Sequence, residues 1–200
     1  MQKHSSKNTS VNIYRLPAVY NKVNWRKHAH TIDNCYVIDI GCGRIETQTL
    51  IRDHLRHRQI HHFVPYDPNH QCLISTPTAT KLMNNVAIKK VIVCSNVLNV
   101  IDNENDLNAL IASICNMSVI QESNGVYHMN PCYITVYEGD KSGIGRETKK
   151  DCWQRNEQLI AYLSKFNDYI KQKYNHNANF FTIKYGMIVG TTQYGGSFVK

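Results

Sequence analysis

Residues 36–46 read YVIDIGCGRIE. Tyr36, Val37, Ile38 and Ile40 make a short apolar run rich in β-branched side chains, with nothing in it that breaks a strand. That composition predicts a buried parallel strand. Gly41 and Gly43 follow, and then a helical pattern over about Arg44 to Arg58, with Ile45, Leu50, Ile51 and Leu55 near one face. Strand, glycine turn and helix in that order form the first half of a nucleotide-binding βαβ unit. Without a Cβ, the turn lets a ligand approach the backbone, and the helix N-terminus supplies unpaired N–H groups. Taken alone, the stretch is equally compatible with a bare structural turn.

The second half of the unit is HHFVPYDPN, a strand from about His61 to Tyr66 that ends in Asp67. Pro65 is awkward in a central strand, so regular pairing is expected to stop at Val64. In this topology an acidic residue ending the second strand accepts hydrogen bonds from ribose hydroxyls. Asp67 lies a little past the usual spacing of about 20 residues from the glycine turn. Asp67-Pro68 also suits a plain turn. From Asn69 to Lys90 the chain is short and polar, with one helix expected around Thr76 to Asn85 and too little room for a further strand.

KKVIVCSNVLNVI, residues 89–101, predicts a buried strand over Val91 to Cys94. Ser95, Asn96 and Asn99 fall at its C-terminal end, where open α/β sheets bind ligands; the same polar group would also serve to cap a helix opened by Asp102 to Glu104. A turn at Ser123 to Gly125 leads to a strand at Tyr133 to Tyr137, with Glu138 and Asp140 beyond it. The glycines of GDKSGIGRETKK do not meet the phosphate-loop pattern, because the sixth residue counted from Gly139 is Ile144 rather than glycine, and Arg146 rather than lysine follows Gly145; a mobile lid over the acceptor side is expected instead. A long helix over about Asp151 to Tyr174 and two closing strands, Phe180 to Lys184 and Met187 to Gly190, complete the chain. At the other end, Met1 to about Ser10 is expected to be disordered. An extended lead-in then runs to Leu16, followed by one short helix from about Pro17. This lead-in is read as a cap on the sheet edge, with a substrate-facing flap as the alternative.

The chain has 200 residues, 42% of them hydrophobic, which suits one substantial globular core. No apolar run nears the roughly 20 residues that span a bilayer, and the N-terminus lacks a secretory apolar segment, so a cytoplasmic protein with no membrane partner is expected. Seven scattered cysteines without a C-x-x-C pair fit free thiols in a reducing compartment and argue against a zinc or disulfide scaffold; no metal site is expected. The formal charge of +8 is compatible with a polyanionic partner such as nucleic acid.

From Tyr36 onward the chain resembles the class I S-adenosylmethionine (SAM) methyltransferases. VIDIGCG, with Asp39, Gly41 and Gly43, matches the family's D-x-G-x-G turn. Asp67 ends the second strand, and CSNVLNVI ends what would be the fourth. CSNVLNVI and YEGDKSGIGRETKKDCWQRN also look similar to small methyltransferase-like proteins of phages and bacteria. The resemblance implies a Rossmann-like, doubly wound α/β fold: a mainly parallel sheet with an antiparallel C-terminal strand, its third strand missing or shortened. It divides the chain into an N-terminal cap, 1–33, and a SAM-binding domain, 34–200.

SAM is the implied cofactor. Its implied contacts are Asp39, Gly41, Cys42 and Gly43 around the methionine part, Asp67 and Pro68 at the ribose, and Ser95, Asn96 and Val97 near the sulfonium. Asn99, Glu138 and Asp140 are the candidates for the acceptor side, and the acceptor itself is unassigned. Amino-methylating DNA enzymes carry a [DNS]-P-P-[YFW] motif where Ser95, Asn96, Val97 and Leu98 stand, with no prolines here, and the nucleophilic Pro-Cys of cytosine-C5 enzymes has no counterpart in the loop after that strand. Pro131-Cys132 begins the next strand instead, which makes Cys132 a core residue. Methyl transfer to an unidentified acceptor is therefore the leading expectation. The competing ones are a SAM-binding or nucleic-acid-binding protein without transfer, and another SAM-consuming reaction.

Overall fold

The computed structural model describes residues 14–32, 34–121, 126–149, 152–174, 180–190 and 198–199. The disordered start expected for Met1 to Ser10 and the turn expected at Ser123 to Gly125 lie outside them. In chain order the elements are α1 (Ala18–Lys22), α2 (Trp25–Thr31), β1 (Tyr36–Ile40), α3 (Ile45–Arg56), β2 (His62–Tyr66), α4 (Thr76–Asn84), β3 (Lys90–Ser95) and a single 3-10 turn at Leu98–Val100. They continue with α5 (Glu104–Ser118), β4 (Val119–Gln121), β5 (Val126–Met129), β6 (Cys132–Thr135), β7 (Arg146–Lys149), β8 (Cys152–Gln154), α6 (Leu159–Tyr174), β9 (Phe181–Lys184), β10 (Met187–Gly190) and β11 (Phe198–Val199).

The centre is a six-stranded sheet in the order β2-β1-β3-β6-β10-β9. The pairs β2-β1, β1-β3 and β3-β6 are parallel, and β10 runs antiparallel to both β6 and β9. The four parallel strands therefore end on one edge. Helices cover both faces, as the period-2 alternation of β1 requires. Ile38 and Ile40 face the core shared with α4, α5 and α6, built from residues such as Leu107, Ile111, Tyr162 and Phe166. Val37 faces the other core, formed with α1, α2 and α3 by Val19, Tyr20, Trp25, Ile51 and Leu55.

Several local expectations change. Pairing of β2 does not stop at Val64: Asp39 pairs with Pro65 and Ile40 with Tyr66. Here β2 is an edge strand, where the missing N–H of proline costs no ladder bond. No strand separates β2 from β3 in sequence among the described residues; the segment holds α4 alone. The lead-in forms two short helices, split at Val23 and Asn24, and the Asn24 side chain caps the second by accepting from the Lys27 amide. Both helices pack on a sheet face, with Tyr20 and Trp25 each 1% exposed, rather than on the sheet edge.

The predicted helix from Asp151 begins only at Leu159. Cys152 to Gln154 instead pairs with Arg146 to Lys149 as an antiparallel hairpin. The strand expected at Tyr133 to Tyr137 is Cys132–Thr135, and Cys132 lies in the core at 0% exposure. A second, three-stranded sheet, β11-β5-β4, had no sequence signal strong enough to predict it.

Candidate functional site

The carboxyl ends of β1, β2, β3 and β6 bring Gly41, Asp67, Asn96 and Val136 to one edge of the sheet. The ends of β1 and β2 are joined by the Gly41 amide, which donates to the Tyr66 carbonyl at 2.7 Å. Gly41 takes φ +71°, and a Cβ on it would stand 2.2 Å from Cγ2 of Val97. The tight turn thus depends on a side chain from the end of β3. Gly43 has φ +70°, but a Cβ there would meet nothing within 4 Å. Gly41 is packed shut, whereas Gly43 borders open space.

Asp67 points back at this turn. Its Oδ2 accepts from the Gly43 amide at 3.1 Å, and its Oδ1 accepts from the Asn69 amide at 2.9 Å. Each carboxylate oxygen keeps a further lone pair for another donor. Pro68 is exposed beside it. Gln48, 0% exposed, holds the arrangement together. Its Nε2 donates to the Gly43 carbonyl at 2.7 Å and to the Gln71 carbonyl at 2.9 Å, while its Oε1 accepts from the Leu73 amide at 2.9 Å. This one amide ties the start of α3, the glycine turn and the loop after β2. In the sequence it is only a polar residue at a buried helical position, a weak signal.

Asp39 lies on the α1-facing side of β1 and is 2% exposed. Burial pushes its carboxyl up to about 7, opposed by the Tyr20 hydroxyl and reinforced by the charge of Asp67. The Tyr20 hydroxyl is buried and has no hydrogen bond of normal geometry; Asp39 is the acid it interacts with. Cys42, between the two glycines, is 5% exposed, and its Sγ lies 3.9 Å from that of Cys72.

At the end of β3, Ser95 and Thr135 share a hydroxyl–hydroxyl bond of 2.9 Å, and Asn96 sits at φ +57° with its side chain exposed. Asn99 is buried and donates to Gln154 Oε1 at 3.2 Å, which directs it into the protein. Glu138 accepts from the Leu159 amide at 2.7 Å, capping α6, and pairs with Lys141 at 3.1 Å. Those two bonds lower the Glu138 carboxyl below the ordinary glutamate range. Asp140 accepts from Ser142 at 3.0 Å and lies 3.4 Å from Arg146.

The loop between β6 and α6 is anchored by residues that the sequence did not single out. The Arg155 amide donates to the Asn99 carbonyl at 2.9 Å, and its guanidinium reaches the Ile101 carbonyl at 2.9 Å, Glu157 at 2.9 Å, and Glu104. Asn156 donates to the Ile144 carbonyl at 2.9 Å, and a Cβ on Gly139 would fall 1.9 Å from Asn156 Oδ1. Within the segment expected to be a lid, Arg146–Lys149 pairs with Cys152–Gln154, and the turn before it is tied to Asn156.

Two concavities lie away from this edge. One of about 450 Å³ includes Met83, Lys90 and Asn130, at the opposite ends of the strands. There the buried Lys90 ammonium donates to the Met83 and Asn85 carbonyls at 2.7 and 2.9 Å, which fastens the end of α4 to the start of β3. The other, of about 310 Å³, is lined by Arg26, His57 and Arg58 together with Val23, Asn24 and Trp25. Among the described residues no group of three or more His, Cys, Asp or Glu side chains is placed to hold a metal ion, and no helix is long and apolar enough to cross a membrane.

The site therefore joins a glycine turn with open space at Gly43, a carboxylate with acceptor capacity left over, and a polar strand end, all on one sheet edge. The chain matches no family model, no curated protein and no solved structure closely enough to establish a relationship.

Proposed function

We propose that this protein is a SAM-dependent methyltransferase of the class I, Rossmann-like kind. The observation that carries the reading is the meeting of Gly43 and Asp67 across 3.1 Å at the carboxyl edge of a parallel sheet, where such folds bind nucleosides. The strand order adds support. β2-β1-β3-β6 is the doubly wound order with its third strand left out, and β10 supplies the antiparallel strand expected near the C-terminus.

The residues present suit the cofactor. The space beside Gly43 admits a group against the backbone, and Asp67 offers the free lone pairs of its two oxygens to the ribose hydroxyls. Pro68 borders the same position. Ser95, Asn96 and Val97 lie where the reacting centre would sit. Asp39 is enclosed, so it acts on the amino group only through an intervening water or by holding the turn. Bound SAM supplies a methyl group already activated on a sulfonium. What remains for the protein is to align an acceptor and keep water out. Asn96 is the exposed polar group at that point; Asn99 is turned to Gln154, and Glu138 and Asp140 are engaged by Leu159, Lys141, Ser142 and Arg146.

A polyanionic acceptor is favoured by the +8 charge. A binding protein without transfer shares every one of these features. Calorimetric titration with SAM, followed by transfer of labelled methyl to RNA, DNA, protein and metabolite fractions, separates the readings. No SAM binding sinks every cofactor reading; binding without transfer to any fraction leaves the binder and another SAM-consuming reaction. A cytoplasmic location goes with this reading and its free thiols.

A further inference from the structure

Cys42 and Cys72 bring two thiols together at this edge, and the cofactor contact expected of Cys42 involves its backbone rather than its sulfur. Cys42 is the middle residue of the Gly41–Gly43 turn, and Cys72 sits on the loop that follows Asp67. Their sulfurs are 3.9 Å apart. This proximity is built in, because the buried Gln48 side chain bonds the residues on both sides of Cys72, through the Gln71 carbonyl and the Leu73 amide, and also bonds the Gly43 carbonyl. Of the seven cysteines, Cys72 alone is partly exposed and the other six are buried. The Cys72 thiol is shifted down to about 7, chiefly by its hydrogen bond with Cys42, so a large share is thiolate at neutral pH. Partial exposure and thiolate character are what make a cysteine reactive. The Cys72 contact and then burial push the Cys42 thiol far up, which makes it the resolving partner rather than the first to react.

We propose that Cys42 and Cys72 form a reversible dithiol–disulfide site, oxidised by hydrogen peroxide, that locks the cofactor turn to the loop after β2. The Cys72 thiolate attacks one peroxide oxygen. The O–O bond breaks, the departing hydroxide takes up the proton that Cys72 had lost, and water leaves a Cys72 sulfenic acid. The Cys42 sulfur then attacks the Cys72 sulfur. The S–O bond breaks, hydroxide departs with the Cys42 proton as a second water, and the disulfide remains. Two thiols and one peroxide give one disulfide and two waters, and a dithiol reductant reverses the change.

The sulfurs must close from 3.9 Å to about 2.0 Å, which draws the loop holding Cys72 onto the glycine turn. The space a nucleoside would enter borders Gly43 and Asp67, which are themselves bridged at 3.1 Å. A covalent tie beside that bridge draws the Cys72 loop toward this space, so the binding-competent fraction falls, and with it the apparent affinity. This last consequence rests on the methyltransferase reading; the disulfide itself does not.

The full-length, fully reduced protein is treated with hydrogen peroxide, and its peptides are mapped by mass spectrometry without reduction. The expected result is a Cys42–Cys72 linked peptide, two hydrogens lighter than the thiol pair, lost with dithiothreitol and absent from C72S. A pair that stays reduced while other cysteines oxidise overturns the proposal. SAM titration of the reduced, oxidised and re-reduced protein is the second arm. Affinity is expected to fall about tenfold or more on oxidation and to return on reduction, while C72S binds SAM equally with and without peroxide. Unchanged affinity in protein carrying the mapped disulfide overturns the control of the site. Reduced protein that does not bind SAM overturns the methyltransferase reading, and the peptide map still decides the disulfide.

Discussion

The Gly43 amide and the Asp67 carboxylate, contributed by different βα connections, meet at 3.1 Å. The bond joins the two connections at the sheet edge where a nucleoside would be held, and the first prediction concerns its acceptor.

Asp67→Ala removes a charged acceptor at the point assigned to the ribose. SAM affinity should drop by roughly 1–3 kcal/mol, read by calorimetry at fixed ionic strength. Asp67→Asn keeps the shape and one acceptor oxygen, and should lose less. Equal affinity of wild type and Asp67→Ala would remove Asp67 from the site.

The two glycines of the turn should separate stability from binding. Gly41→Ala forces a Cβ to within 2.2 Å of Val97 at a left-handed φ, and should destabilise the fold by roughly 2–4 kcal/mol in urea melts. Val97→Ala should restore part of that loss. Gly43→Ala meets no neighbour, so its cost should stay near the left-handed penalty of about 1 kcal/mol. It nevertheless fills the space beside the backbone, and SAM binding should suffer more than stability does.

Asp39 governs a pH dependence of opposite sign to that of most carboxylates. Its folded value, about 7, lies above its ordinary 3.8, so between those values the folded state holds the proton more tightly. Stability from this group is complete below about pH 4 and is lost as pH rises through about 7, a difference of roughly 4 kcal/mol at most. His28 opposes it: burial lowers its imidazole to about 4, so its contribution grows as pH rises from about 4 to 6.5. Wild type alone therefore shows a muted slope, and the comparison with Asp39→Asn isolates the carboxyl. The variant should gain stability over wild type progressively from pH 4 to 8. Parallel curves would show that Asp39 is ionised without cost.

Arg155→Ala should free the β7–β8 hairpin. The side chain bridges Ile101, Glu104 and Glu157 and is only 11% exposed. Its removal leaves the partly buried Glu157 unpaired, with an expected loss of roughly 2–4 kcal/mol. Hydrogen exchange should quicken over residues 139–157 more than in β1 or β3. Uniform quickening would mean that the arginine supports the whole fold instead.

The run YVIDI, the glycines after it, Asp67 and the apolar periods of α3, α5 and α6 were readable from the sequence. Each is a local pattern: side-chain alternation, a helical period, or a glycine where the chain must turn. These patterns alone put the glycine turn and Asp67 at the ends of two strands. They do not say what lies opposite. Pro65 was misread because only the sheet order shows that β2 is an edge. Cys152 to Gln154 is a strand because Arg146 to Lys149 lies alongside it, and its three residues are too few to show a period.

Gln48, Tyr20, Cys72 and Arg155 have the same limitation, since each takes its meaning from partners far along the chain or on another element. Gln48 is one more polar residue in a helix until the fold buries its amide among three backbone groups. Cys42 and Cys72 are two scattered thiols until the Gln48 bonds hold them in contact. Local sequence thus determined where the chain extends, coils and turns. Tertiary packing alone decided which buried polar groups meet, because hydrogen bonding and desolvation depend on distances that sequence separation does not encode.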